Sequence, residues 1–479
     1  MECQSTMQAE PVLAPELDGT IQVVDPAVEP ARSFNPFRGR SDLLKAFLSI
    51  GDQAVFSGTS FVSAVIVGRA CSADDLGLYY LTLTIAFIAI GIQDALISSP
   101  FTIFSNARSG RDLQEFTGSA WIHYLGLSLI FGSLLTIAIA VTSLPGVAEM
   151  LPDSLRVWIN ARGLTLLLCV LPLLLLREAI RRFAFARLQL YAAIAVDTTV
   201  SVVQLAGLLL LARLDQMSIV TIFSVMAGAC ALASLGWLIF HPKSSRIVPS
   251  RTWSDWNHSW HFASWSLYSF IVGSTIPFIM PWIVTSLVST AAAGLFGAAS
   301  TLVGVTNILV LGGGNFLTPK AAESFANSGS HGLRRVICVA ALLFTCVLGA
   351  FLLGILLTGD WLAILVFKKV EFRGCGPLLA ALAANVLMGS LGMIAVVGLW
   401  VLGKQRRNFA IDVLVFCITI TAAVCLAPTK GALGAALASL IGVTIGTAIR
   451  AVLLHRALLE SSQVASAGPA CEQPSLAAN

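Results

Sequence analysis

Charge is what this chain has least of. Only 11% of its 479 residues are Asp, Glu, Lys or Arg, 57% are hydrophobic, and the mean hydropathy is +0.85. A soluble domain carries about 25% charged residues, so the composition excludes a water-soluble globular protein and leaves an integral membrane protein. The first 30 residues lack Lys and Arg altogether but hold six acids, Glu2, Glu10, Glu16, Asp18, Asp25 and Glu29. With no basic segment leading into an apolar run there is no secretory leader pattern, and the first helix is expected to act as the targeting signal. Residues 1–40 read as a disordered acidic tail on the cytoplasmic side, and 457–479 as a second disordered tail.

Other absences narrow the chemistry. The sequence has no P-loop, no GxSxG elbow, no HExxH and no DxD in a soluble region of transferase size, so ATP hydrolysis and the common hydrolase and transferase sites are excluded. Gly312, Gly313 and Gly314 resemble a nucleotide loop only superficially; in an apolar run they suit a kink or a close helix approach. The longest loop opposite the termini, around 358–376, has about 19 residues, too few for a catalytic domain. The chain is therefore not expected to be an enzyme, nor to bind nucleic acid. No Cys/His spacing suits zinc. Most of the ten cysteines lie inside apolar runs, where Cys acts as a small hydrophobe. Cys71 and Cys375 instead fall in loops on one side, where pairing would depend on a separation the sequence does not give.

What is present is a succession of apolar windows of about 20 residues, each long enough to cross a bilayer. They lie at 46–68, 76–99, 117–143, 157–178, 191–213 and 218–240, then at 265–288, 291–314, 333–357, 377–402, 409–427 and 432–454. The expected fold is thus an all-α integral membrane protein of about 12 transmembrane helices. Its parts are a six-helix N-terminal lobe over 41–241, a linker over 242–264 and a six-helix C-terminal lobe over 265–456. The loops on the side of the termini collect 21 of the 29 Lys and Arg residues, which places both termini in the cytoplasm. The linker WSDWNHSWHFASW puts Trp253, Trp256 and Trp260 on one helical face, as in a helix lying in the membrane interface or an aromatic belt before the seventh span.

The halves echo each other. DDLGLYYL opens the second span with Gly77, and AAAGLFGA opens the eighth with Gly294; each span is expected to end at a proline, Pro100 or Pro319. Six spans per half make the two repeats enter the membrane in the same direction, an arrangement of transporters that bind substrate between halves.

Ionisable groups within spans are rare and expensive, at about 2.5–3.5 kcal/mol on insertion scales, so those present carry information. Asp52 sits on the first span, with Gln53, Ser57 and Ser60 at i, i+4 and i+7 of one another. Gln93 and Asp94 precede Pro100 on the second. Asp197, Ser201 and Gln204 share a face of the fifth. Two roles stand open for the three carboxylates: a site for a coupling proton or Na+, or structural pairing across helices. Arg177 and Arg181, one turn apart near the end of the fourth span, suit either a phosphate group or lipid headgroups, and Glu178 and Arg182 can pair at i, i+4.

GDQAVFSGTSFVSAVIVGR, DDLGLYYL and QDALISSPFTIF together resemble the opening of bacterial polysaccharide transporters. These are lipid-linked oligosaccharide flippases of the multidrug/oligosaccharidyl-lipid/polysaccharide exporter superfamily. REAIRRFAFARLQ is similar to a cytoplasmic step after their fourth span. The resemblance implies movement of a polyprenyl-pyrophosphate-linked oligosaccharide across the inner membrane of a bacterium, for lipopolysaccharide or exopolysaccharide synthesis, with no cofactor beyond a coupling ion. It implies as partners the glycolipid, membrane lipids and glycan polymerase or export machinery. Alternatives are a multidrug or cation exporter of the same superfamily, and from another class a membrane glycan polymerase or ligase, or an assembly partner of polysaccharide synthases.

Overall fold

A computed structural model describes residues 40–144, 146–150, 156, 158–159, 163–187, 189–240 and 245–466. The 1–39 part of the expected N-terminal tail lies outside these residues. Leu44–Asn479 pack as one unit, and the residues up to Leu43 form a separate one, described only from Arg40. No strand occurs among the described residues.

The first half contributes α1 (Arg40–Ala70), α2 (Ala73–Gln93), α3 (Gly110–Thr142), α4 (Gly163–Ala186), α5 (Leu190–Arg213) and α6 (Ile219–Phe240). Ser72 starts α2 with a reciprocal cap: its hydroxyl accepts from the Asp75 nitrogen at 3.1 Å, and the Asp75 carboxylate accepts from the Ser72 nitrogen at 3.3 Å. Pro100 does not end this span. A π-helical turn, Asp94–Ser98, absorbs the disturbance, and the helix continues as Ser99–Ser105. Pro100 has no N–H to give to the preceding turn, and the wider π-turn ahead of it accommodates that missing bond.

The second half begins with a broken span, α7, whose arms Pro249–Gly273 and Ile276–Leu287 meet at 44°. Pro277 and Pro281, one helical turn apart just beyond the break, each lack a backbone donor, which accounts for the bend. The tryptophan segment forms the first turns of the first arm, Pro249–Gly273, with no turn between it and the rest of that arm. Trp253 and Trp260 remain exposed on it.

Next, Thr290–Val303 leads through a short 3-10 turn into a helix assigned as Asn307–Phe367. That stretch is too long for one crossing at 1.5 Å per residue. It divides at Gly329, whose φ of 59° and ψ of −151° only glycine adopts readily, giving α8 before the break and α9 after it. Pro319 lies inside α8 and does not end it. Then come α10 (Gly376–Val401), α11 (Gln405–Lys430) and α12 (Ala432–Ser466). Helix persists to Ser466 where a tail was expected from 457; 467–479 lie outside the described residues. The loop between α9 and α10 shortens to Lys368–Cys375, because α9 runs on to Phe367. Leu129, Ile137, Leu353 and Leu357 are exposed on the outer faces, as helices in lipid require.

The two halves close on each other at the end remote from the termini. There α2 crosses α8 at the two glycines the sequence repeat aligns. A Cβ on Gly77 would collide with the Thr290 carbonyl oxygen; one on Gly294 would collide with that of Ala73 and lie 2.9 Å from the Gly77 nitrogen. Nearby, Arg69 Nε donates to the Val366 carbonyl at 2.6 Å, and Lys369 Nζ donates to the Cys71 carbonyl. Cys71 and Cys375 are both buried free thiols, each pushed by burial up to about 11. At the opposite end, the start of α7 is tied to α3. Arg251 pairs with Asp112, Glu115 and Asp255, the Ser119 hydroxyl donates to Asp255 at 2.6 Å, and His123 Nε2 lies 3.1 Å from the Thr252 carbonyl.

Candidate functional site

The acids and arginines that the sequence presents as separate features form one buried network. Arg177, Glu178, Arg181 and Arg182 come from the last turns of α4, Asp197 from α5, and Asp52 from α1. Arg181 is the hub: Nη2 donates to Asp52 at 2.9 Å, Nε to Asp197 at 2.8 Å, and Nη1 to Glu178 at 3.3 Å. Arg177 donates to the other Asp197 oxygen and to Glu178 at 3.2 Å. Asp52 and Asp197 are each 1% exposed. Arg182 is the wet edge of the network, donating to Glu178 at 3.0 Å and lying 3.3 Å from Asp94, with 42% and 30% of the two side chains exposed. The π-helical turn beginning at Asp94 is what sets this acid beside α4.

Burying a charge alone costs several kcal/mol, and charges pack inside a protein only when their partners are built in. Here three helices supply the partners of two arginines, fixing the guanidinium planes. Phe56 adds its ring face, with the Arg177 and Arg181 guanidinium carbons 5.2 and 5.3 Å from its centroid. Across the network, Arg177, Arg181 and Arg182 face Asp52, Asp94, Glu178 and Asp197, so four carboxylates meet three cations when all are ionised. Asp52 Oδ1 is buried without a hydrogen-bond partner.

From this network a cavity of about 490 Å³ runs between the halves. Its polar end is walled by Arg177, Glu178, Arg181, Arg182 and Gln53, and its apolar end by Tyr79, Tyr80, Phe87 and, from α7, Phe278. Thr301 of α8 reaches across to the Tyr80 hydroxyl at 2.7 Å. Along the wall, Thr59 donates to Ser201 at 2.6 Å, and Gln204 donates to Ser63 at 2.9 Å, knitting α1 to α5. Ser60, Ser201 and Gln204 line the cavity; Ser57 lies one turn from Gln53 and accepts from it at 3.3 Å. Gln93 faces elsewhere, donating to the Leu175 carbonyl of α4 at 3.1 Å.

Several members were not apparent from the sequence. Glu178 pairs with all three arginines rather than with Arg182 alone, and the aromatic end draws on residues that read as ordinary apolar filling. In the second half Arg450, counted among loop charges, is buried and donates to Asn408 at 3.0 Å and to Asp412. Asp412 takes Arg450 because α11 and α12 run side by side.

No family model and no curated protein matches the chain. Solved structures do. An inward-facing multidrug resistance MATE family transporter of the MOP superfamily superimposes with a TM-score of 0.71 at 12% identity, over 87% of this chain and 99% of that one. The lipid II flippase MurJ, in an inward closed conformation, gives 0.68 at 12% identity over 88% and 90%. An outward-facing MATE transporter gives 0.56 at 13% identity over 88% and 96%. The chain therefore shares the fold of these transporters of known structure.

Proposed function

We propose that this protein is a transporter working by alternating access, and that its cargo is a polyprenyl-pyrophosphate-linked oligosaccharide passed from the inner to the outer leaflet. The observation that carries the reading is the pair Arg177 and Arg181, fixed at the wall of a cavity between two halves. Arginine grips phosphate bidentately, and two guanidinium groups one helical turn apart suit a pyrophosphate that displaces the carboxylates they hold in this conformation. The aromatic end, with Tyr79, Tyr80, Phe87 and Phe278, suits sugar faces or the start of a prenyl chain. The cavity volume falls within the usual range of about 300–1,000 Å³ for ligand sites, so it takes the linkage region while the glycan and the tail extend beyond it. The likeness to a structure described as a lipid II flippase adds weight to a lipid-linked cargo.

In this reading Asp52, Asp94 and Asp197 exchange a proton or Na+ as the halves rock, the excess carboxylate giving that ion its place. The protein sits in the inner membrane of a bacterium with both termini in the cytoplasm, beside glycan polymerase or export machinery. Reporter fusions at 30, 245 and 465 should all report cytoplasm; a periplasmic signal at 245 would break the six-plus-six topology.

The same excess of one carboxylate favours a second reading, export of a cationic drug. Purified protein in liposomes separates the two. Exposure of labelled glycolipid on the far leaflet, without efflux of a cationic dye, supports the first. Dye efflux without glycolipid exposure establishes the second.

A further inference from the structure

A second groove lies in the second half, away from the central cavity. Here α9 and α12 stand apart over α10 and leave a surface groove of about 380 Å³. Its floor and walls are apolar, with Ile337, Ile394, Ala395 and Leu454 among them. At the end of the bundle that carries the termini it finishes between Arg334 and His455.

Both of these side chains are exposed, and neither makes an ion pair or hydrogen bond with any described residue. The residues lining the groove include no acid to neutralise that rim. An apolar slot rising from an unneutralised cationic rim, at the level of a membrane face, is complementary to one kind of molecule in a bilayer.

We propose that this groove holds a single anionic phospholipid of the leaflet on the side of the termini, with an acyl chain along Ile337, Ile394 and Leu454 and the headgroup phosphate between Arg334 and His455. Burial of the acyl methylenes and attraction of the Arg334 guanidinium for the phosphate act together. This site is independent of the cargo assigned to the central cavity.

The test is native mass spectrometry of the full-length protein, delipidated in detergent and titrated with phosphatidylglycerol or phosphatidylcholine. Wild type should retain one phosphatidylglycerol about tenfold more tightly than phosphatidylcholine. Arg334→Gln/His455→Gln should lose that preference, Arg334→Lys should keep it, and Ala451→Phe, which fills the groove, should lose the tightly held lipid of either kind. If the double variant does not fold, the Arg334→Lys and Ala451→Phe results decide between the alternatives. Equal affinity of wild type for both lipids, or an unchanged preference in the double variant, would mean annular lipid only and overturn the proposal. Displacement of the lipid by millimolar inorganic phosphate would assign the rim to a free anion instead. A dimer that Ala451→Phe dissolves, with lipid retention unchanged, would give the groove to a second copy of the chain.

Discussion

Gly77 and Gly294, which occupy equivalent places in the two sequence repeats, meet each other where α2 crosses α8. Each lies where a single added methyl group would strike the backbone of the opposite half. Equivalent residues touching at a crossing is what two repeats related by a central axis produce, and the close approach seals the halves together at the end remote from the termini.

Gly77→Val should therefore hold that end open. The measurement is thiol labelling of Cys71, which is buried beside the crossing, in a variant lacking the other cysteines. In wild type the reaction should be slow and keep accelerating up to about pH 11, because burial keeps the thiol protonated. In Gly77→Val the reaction should quicken by tenfold or more at pH 8. An unchanged rate would show that the glycines are not a seal.

The buried network predicts strong coupling between its members. Arg181→Gln leaves Asp52, Glu178 and Asp197 short of a cation and should cost about 3–5 kcal/mol of stability. Adding Asp52→Asn should restore at least about 1 kcal/mol of that loss, since it removes one of the stranded charges. Thermal unfolding of the four proteins of this cycle reads the effect. Additivity within about 0.5 kcal/mol would mean the ion pair between Asp52 and Arg181 has no energetic content.

Much of this was legible in advance. Span positions followed from hydropathy, because lipid demands about 20 apolar residues wherever the chain crosses. Asp52, Asp197, Arg177 and Arg181 stood out because charge is so scarce in these helices. Their mutual pairing did not, since Asp52 and Arg181 lie 129 residues apart and only packing of α1 on α4 and α5 unites them. Pro100 and Pro319 misled as helix ends because a π-turn and a continuous helix accommodate them, while the true break at Gly329 is visible only in its backbone angles. Tyr79, Tyr80 and Phe278 escaped notice because an aromatic facing a cavity reads the same as one facing lipid.

Ion coupling has its own test in Asp52. Its Oδ1 is buried without a partner, an arrangement Asn would reproduce at lower desolvation cost if packing were its only task. Asp52→Asn should leave the protein inserted and folded but make transport indifferent to pH and sodium gradients. Transport that still follows either gradient at wild-type strength would return Asp52 to a structural role.

The central claim is that Arg177 and Arg181 hold the pyrophosphate of a lipid-linked oligosaccharide while the halves turn about it. The direct measurement is leaflet exposure of a labelled polyprenyl-pyrophosphate oligosaccharide in liposomes containing wild type, Arg177→Lys/Arg181→Lys or Arg177→Gln/Arg181→Gln, at matched amounts of folded protein. The account predicts rapid exposure with wild type, a rate reduced about tenfold with the lysines, which keep charge but lose the bidentate grip, and none above empty liposomes with the glutamines. Wild-type exposure from the folded glutamine variant would contradict it.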